Sequence, residues 1–173
     1  FERSGYISYA NCGLPYYIGD VIEDPEDLTL QTPESFWRRF RIRMKVHHEV
    51  TAIHPERKTV SVKNLESGEE FEERYDKLLL SPGAKPLWPD LPGMESSKLF
   101  TLRTVEDTFR IRDFVDQQKP KSAVMVGGGF IGLEVAENLR HLGLDVTIVQ
   151  RPKQLMNPFD ADMASFIHSE VRK

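Results

Sequence analysis

Ala123-Val124-Met125-Val126-Gly127-Gly128-Gly129-Phe130-Ile131-Gly132-Leu133-Glu134 is the stretch that decides the fold. Four apolar residues of strand character run into a glycine turn, and helical spacing begins directly beyond it. Gly127, Gly129 and Gly132 fit G-x-G-x-x-G, the pattern of a dinucleotide-binding βαβ unit. In that pattern the first glycine makes a tight turn and the second lets a pyrophosphate approach the backbone. The third lets helix and strand pack closely. The helix offers free N–H groups and the positive end of its dipole to phosphate oxygens.

The glycine pattern alone is weak, so its neighbours carry the argument. A helix is predicted from Phe130 to Leu142, with Ile131, Val135, Ala136, Leu139 and Leu142 on one face. Gly143 suits its end. Asp145-Val146-Thr147-Ile148-Val149 then reads as a second strand, too apolar for a surface and typical of a buried parallel one. Gln150 ends it, 18 positions after Gly132, where the fingerprint expects an acid for the ribose. Arg151 and Lys153 follow, two cations placed to attract a 2′-phosphate or to sit solvated in a loop. The competing reading is a glycine-rich turn in an ordinary α/β domain. Strand, turn, helix and strand falling in register favour the nucleotide.

Bulk properties narrow the classes. At 173 residues the chain is one domain or two small ones. Its net charge of −4 argues against a nucleic-acid surface. No apolar run approaches the ~20 residues of a membrane span, and no signal peptide is expected from these residues. One cysteine excludes an internal disulfide and fits a reducing, cytoplasmic setting. The first residue is Phe1, and a predicted helix is still running at Lys173, so an internal piece of a longer protein is expected.

Tyr9-Ala10-Asn11-Cys12-Gly13-Leu14-Pro15-Tyr16-Tyr17-Ile18-Gly19 is the second informative stretch. Asn11 is placed as an N-cap, Pro15 in the first turn and Gly19 at the end of a short helix. Cys12 then stands at a helix N-terminus, which favours a nucleophilic thiolate. A buried structural cysteine is the other reading, and this stretch alone leaves both open. Tyr16 and Tyr17 either pack or line an approach to the thiol.

The remaining segments are read more briefly. Residues 23–32 are acidic and polar and read as a loop. Thr32 and Pro33 open a helix with its body at Phe36 to Phe40. The basic cluster Arg38, Arg39, Arg41, Arg43 and Lys45 reads as a solvated face rather than a ligand site. Strands from Val46 to Ala52, Thr59 to Val62 and Glu69 to Arg74 suggest an antiparallel meander. His47 and His48 point to opposite faces of their strand, and with His54 and His141 they show no metal-ligand spacing, so no metal site is assigned. Tyr75 to Leu80 reads as a buried strand running into Ser81-Pro82-Gly83-Ala84, and residues 85–98 as a proline-rich crossing. Thr104 and Asp107 are spaced as a capping box for a helix to about Gln118. A last amphipathic helix, Asp160 to Arg172, is predicted to turn Met163, Phe166, Ile167 and Val171 inward.

Taken together, ANCGLPYYIG, YDKLLLSPGAKP and VMVGGGFIGLEVAENL, in that order, resemble the flavin-dependent pyridine nucleotide–disulfide oxidoreductases. The resemblance covers the whole chain and is strongest to the single-cysteine branch: coenzyme A-disulfide and persulfide reductases, NADH oxidases and peroxidases. It implies an α/β fragment of a flavoprotein with two dinucleotide-binding domains, carrying a small antiparallel meander and a Rossmann-type βαβ unit. Residues 1–100 would be a partial FAD-binding domain with the redox cysteine, and residues 101–173 a partial NAD(P)H-binding domain.

The resemblance also implies roles. Cys12 is the redox cysteine beside the flavin, with Asn11 next to it. Glu2, accompanied by Arg3, binds the adenosine ribose of FAD, and Ser81, Pro82 and Gly83 pack against FAD. Gly127, Gly128, Gly129, Ile131 and Gly132 form the NAD(P)H turn, Phe130 covers the flavin until nicotinamide displaces it, and Glu134 stands near the nicotinamide. Gln150 and Arg151 lie at the ribose position. The implied cofactors are FAD and NAD(P)H. The implied partner is a small thiol or disulfide such as coenzyme A or a persulfide, with a homodimer formed through a C-terminal domain. Two departures stand out. Tyr17 replaces the second cysteine of C-x-x-x-x-C, and the family's first glycine fingerprint, which holds the FAD pyrophosphate, is not among these residues. The isolated fragment is therefore expected to bind FAD weakly or not at all, and to be inactive. The alternatives carried forward are an NADH oxidase or peroxidase cycling through a cysteine sulfenic acid, and an inert nucleotide-binding module.

Overall fold

The computed structural model describes residues 1–172. In chain order it holds β1 (Ser8–Tyr9), a 3-10 turn (Asn11–Gly13) running into α1 (Leu14–Ile18), a second 3-10 turn (Pro25–Leu28), β2 (Thr29–Gln31) and α2 (Pro33–Phe40). There follow β3 (His48–His54), β4 (Thr59–Asn64), β5 (Glu70–Arg74), α3 (Val105–Gln118), β6 (Ser122–Val126), α4 (Phe130–His141), β7 (Asp145–Val149) and α5 (Ala161–Val171). These gather into two compact units, one of Phe1–Ala10 with Thr29–Lys85, the other of Asn11–Leu28 with the chain from Pro86 onward.

In the first unit β3, β4 and β5 form the antiparallel meander, with Val50 opposite Val62 and Val62 opposite Phe71. Val60 and Val62 alternate toward its buried face, as a half-buried antiparallel strand requires. β1 pairs with β2 where a loop was predicted over residues 23–32. The three residues of β2 are too few for a strand period to show in sequence. α2 begins as read: Thr32 accepts from the Ser35 N–H, and Ser35 reciprocates to the Thr32 N–H. Its arginines are solvated. Arg39 lies over Phe40, and Arg41 and Arg43 over Trp37, in cation–π contacts at an exposed surface.

Residues 75–80 correct the sequence reading. They form no strand, and Leu78, Leu79 and Leu80 are exposed, Leu79 at 88 %. A buried strand needs neighbours to bond its N–H and C=O groups and to cover its side chains. None of the described strands runs beside this apolar segment.

The second unit holds the βαβ turn. β6 and β7 are parallel, in register from Ser122 opposite Asp145 to Val126 opposite Val149. α4 covers one face, so alternate residues of both strands are sheltered and the others open. The buried strand pair predicted from composition is thus buried on one side only, with Val126 84 % exposed. The core joins Val135, Leu139 and Leu144 to Ile18 of α1, ringed by Ile111 and Val115 of α3. Asn138 shares the inward face at 2 % exposure, its amide donating to the Glu134 carbonyl one turn back at 2.8 Å. Ile131, expected on that face, is instead 55 % exposed, in the first turn of α4 beside the glycine turn.

α3 is capped as predicted, with Thr104 and Asp107 bonding reciprocally. α5 is rotated from the expected face. Ala164 is buried and Ile167 and His168 half-buried, while Met163, Phe166 and Val171 are exposed. Helical spacing allows either stripe. The observed stripe carries a polar contact as well, with the Leu155 N–H donating to His168 Nε2 at 3.0 Å. Lys173 lies outside the described residues.

Candidate active site

The glycine turn has the backbone geometry its pattern requires. Gly127 has φ +110°, a conformation L side chains rarely adopt, and its N–H donates to the Val149 carbonyl at 2.8 Å. A Cβ on Gly132 would stand 2.0 Å from the Gly127 carbonyl oxygen, so helix and turn touch there and only glycine fits. Gly129 is the N-cap of α4, extended at φ −86°, ψ −170°, and no side chain caps this helix end. A Cβ on Gly129 would meet nothing within 4 Å. The result is an exposed cradle of backbone N–H groups at the positive end of a 12-residue helix, which fits a pyrophosphate.

The middle glycine is used differently. Gly128 is buried, and its N–H donates to Gln150 Oε1 at 3.2 Å while its carbonyl accepts from the Met156 N–H at 2.8 Å. The Gln150 amide nitrogen donates in turn to the Gln154 carbonyl. Gln150 is therefore folded back on the turn and ties residues 150–156 across it. A carboxylate at this position could accept from Gly128 but could not donate to Gln154. Arg151 and Lys153 are exposed.

Phe130 is exposed beside the cradle, with its ring edge-on to Phe159 at 5.9 Å between centroids. Glu134 lies one turn further along α4, half-buried.

Cys12 is exposed in this chain. The helical path starts one residue earlier than read, as a 3-10 turn, and the α-helix itself starts later, at Leu14. Asn11 opens a 3-10 turn, the N-cap of α1 is Gly13, and no side chain caps it. Asn11 Oδ1 instead accepts from Arg103 Nη1 at 3.3 Å. Tyr17 sets its ring edge-on to Phe109 of α3 at 5.3 Å, a packing role. Gly19 is required by packing rather than by a left-handed turn: a Cβ there would come within 2.1 Å of Asn138 Oδ1, so α1 and α4 meet at that point. The chain turns left-handed one residue later, at Asp20 with φ 62°.

The first unit holds the other candidates. Glu2 Oε1 accepts from the Ser4 N–H at 2.7 Å, which orients the carboxylate and leaves capacity for further donors such as ribose hydroxyls. Arg3 pairs loosely with Glu49 at 3.5 Å. Ser81, Pro82 and Gly83 run exposed and without regular structure, with Gly83 at φ +70°. Among the described residues no His, Cys, Asp and Glu cluster could hold a metal, and no helix is long and apolar enough to cross a membrane.

The profile of the pyridine nucleotide-disulphide oxidoreductases matches residues 1–173. The chain belongs to this family. Within it, the coenzyme A disulfide reductase of Staphylococcus aureus is 45 % identical over 173 residues, which are 100 % of this chain and 39 % of that protein. The crystal structure of reduced Bacillus anthracis CoADR-RHD superposes with a TM-score of 0.96 at 49 % identity, covering 99 % of this chain and 31 % of that one. A NAD-dependent persulfide reductase from A. fulgidus superposes with a TM-score of 0.91 at 31 % identity, covering 99 % of this chain and 32 % of that one. The chain thus spans about two-fifths of the length of the curated relative and less of the two solved structures.

The residues that sequence reasoning missed are Arg103, Arg112 and Asn138, each acting on the Cys12 helix from far along the chain. No local pattern marks them.

Proposed function

We propose that this chain is part of an FAD-dependent NAD(P)H oxidoreductase that reduces a small-molecule disulfide or persulfide, in the manner of a coenzyme A disulfide reductase, through Cys12. The observation that carries the proposal is an exposed thiol in the same compact unit as a complete glycine cradle. The identity to coenzyme A disulfide reductases points the same way.

In this reading residues 1–100 contribute to FAD binding and residues 101–173 to NAD(P)H binding. Glu2, Arg3, Ser81, Pro82 and Gly83 hold FAD. Gly127, Gly128, Gly129, Phe130, Ile131, Gly132, Glu134, Gln150 and Arg151 hold and orient the nicotinamide nucleotide. Cys12 Sγ, as thiolate, attacks one sulfur of the substrate. A Cys12–substrate S–S bond forms, the substrate S–S bond breaks, and the departing thiolate takes a proton from water. FAD and NAD(P)H, when bound, supply the two electrons that release the second thiol and restore Cys12. Asn11, held by Arg103, keeps the backbone before Cys12 in place while the sulfur exchanges partners.

Replacing Cys12 by Ser in the full-length enzyme is the test. Stopped-flow reduction of the flavin by NAD(P)H is expected to persist, and steady-state reduction of coenzyme A disulfide or persulfide to be abolished. Turnover of the Cys12→Ser enzyme at the parent rate would show that the thiol carries no chemistry.

A further inference from the structure

The five residues of α1 are too few to hold the Cys12 segment in place by helix propensity alone. Beside the segment's apolar packing on α4, α3 holds it through a series of side-chain contacts. At the start of the segment Arg103, just before α3, donates to Asn11. In the middle Phe109 receives the edge of Tyr17. At the far end Arg112 donates from Nη1 to the Ile18 carbonyl at 3.1 Å. The same guanidinium grips Asp20 with both forks, Nη1 to Oδ1 at 2.5 Å and Nη2 to Oδ2 at 2.8 Å. Its Nε donates to Asp116 Oδ2 at 2.8 Å, one turn along α3.

The arginine is thus spent on both carboxylates and on an end carbonyl of α1. A planar five-donor fork makes this set of bonds and an ammonium cannot. The hydrogen bond that Arg112 donates to Asp20 holds the guanidinium pKa above its ordinary value against the opposing effect of partial burial. Asp20 is the residue at positive φ that turns the chain out of the helix, so the grip sets where α1 ends.

We propose that Arg112 is a positioning residue for Cys12: through Asp20 and the Ile18 carbonyl it locks the thiol-bearing helix to α3, the helix that leads into the nucleotide-binding strand. Nothing in the chemistry assigned to Cys12 uses Arg112, which lies at the opposite end of the segment. The inference rests on the reading of Cys12 as the exchanging thiol. A reacting group misplaced by about 1 Å can lose about a hundredfold in rate, so loosening this lock acts on sulfur exchange and spares the hydride step.

The experiment uses the full-length holoenzyme with Arg112→Gln, Arg112→Lys, Asp20→Asn and the Arg112→Gln/Asp20→Asn double variant, beside Cys12→Ser. Two half-reactions are followed anaerobically: flavin reduction by NAD(P)H, and consumption of coenzyme A disulfide by the reduced enzyme. Flavin content and thermal unfolding verify that each variant is folded. Expected are a loss of about tenfold or more in the disulfide half-reaction, with flavin reduction within about twofold. Arg112→Lys should not rescue, and the double variant should be no slower than the worse single one, because the two residues act as one unit. If Arg112→Gln does not fold, Asp20→Asn, which keeps the guanidinium, decides alone. An unchanged disulfide half-reaction in a folded variant overturns the proposal, as does an equal fall in both half-reactions. The Cys12→Ser enzyme separates the two layers. If it retains disulfide turnover, the reading of Cys12 fails. If it loses turnover while the Arg112 and Asp20 variants keep theirs, only the positioning role fails.

Discussion

Gly19→Ala tests how tightly the Cys12 helix is bound to the nucleotide-binding unit. Gly19 has φ −88° and ψ 10°, which alanine adopts freely, so any cost comes from space alone. The added methyl would stand 2.1 Å from Asn138 Oδ1 and 2.7 Å from its Cβ and Cγ. Ordinary contact begins near 3.4 Å, so α1 and α4 must separate by about 1.3 Å or Asn138 must leave its site. Asn138 is 2 % exposed and bonded to Glu134, so it cannot swing into solvent. Overpacking of this kind costs about 1–3 kcal/mol.

Asn138→Ala removes the obstacle. By itself it should cost about 1 kcal/mol for the hydrogen bond, plus a term for the space left behind. The double variant should be more stable than the sum of the single losses by about 1 kcal/mol or more, since the alanine methyl enters the vacated space. Urea midpoints of the four full-length proteins measure the cycle. A Gly19→Ala loss below about 0.5 kcal/mol, or strict additivity, would falsify the close packing of α1 on α4.

Gln150→Leu removes both amide bonds across the glycine turn. Faster hydrogen exchange at Gly128 and a rise of about tenfold in KM for the nicotinamide nucleotide are expected, and unchanged exchange would show the amide to be idle. Arg151→Ala with Lys153→Ala should weaken NADPH about tenfold and leave NADH unchanged if the pair reads a 2′-phosphate. A parent enzyme that already prefers NADH by about a hundredfold would show that it does not. Thr104→Ala breaks the α3 capping box and should lower stability by about 1 kcal/mol, read from thermal unfolding. A loss within error would mean that Asp107 holds the two N–H groups at Arg103 and Thr104 without it.

The elements with a local signature were legible. The strand–glycine–helix–strand run, the two capped helices and the meander were read from periodicity and punctuation, because φ preference, capping and turn chemistry act within a few residues. Gly127 and Gly132 were assigned their tasks from spacing alone, and the backbone bears out both the turn and the close approach. Errors fell where a local pattern needed a distant partner. The apolar run at Leu78–Leu80 has no strand beside it, and α5 turned a stripe other than the greasiest one inward.

The sequence by itself therefore determined the family, the βαβ unit and the single thiol, because motif and order are enough for these. The tertiary structure alone decided that Cys12 is exposed, and that its helix packs with α3 and α4. It also decided that Gln150 folds back on Gly128 and that Arg112 locks the far end of the thiol helix. The last depends on a contact 94 residues apart in the chain. Residues so far apart meet only after the core has formed, and no short-range preference encodes where a side chain will find its partner.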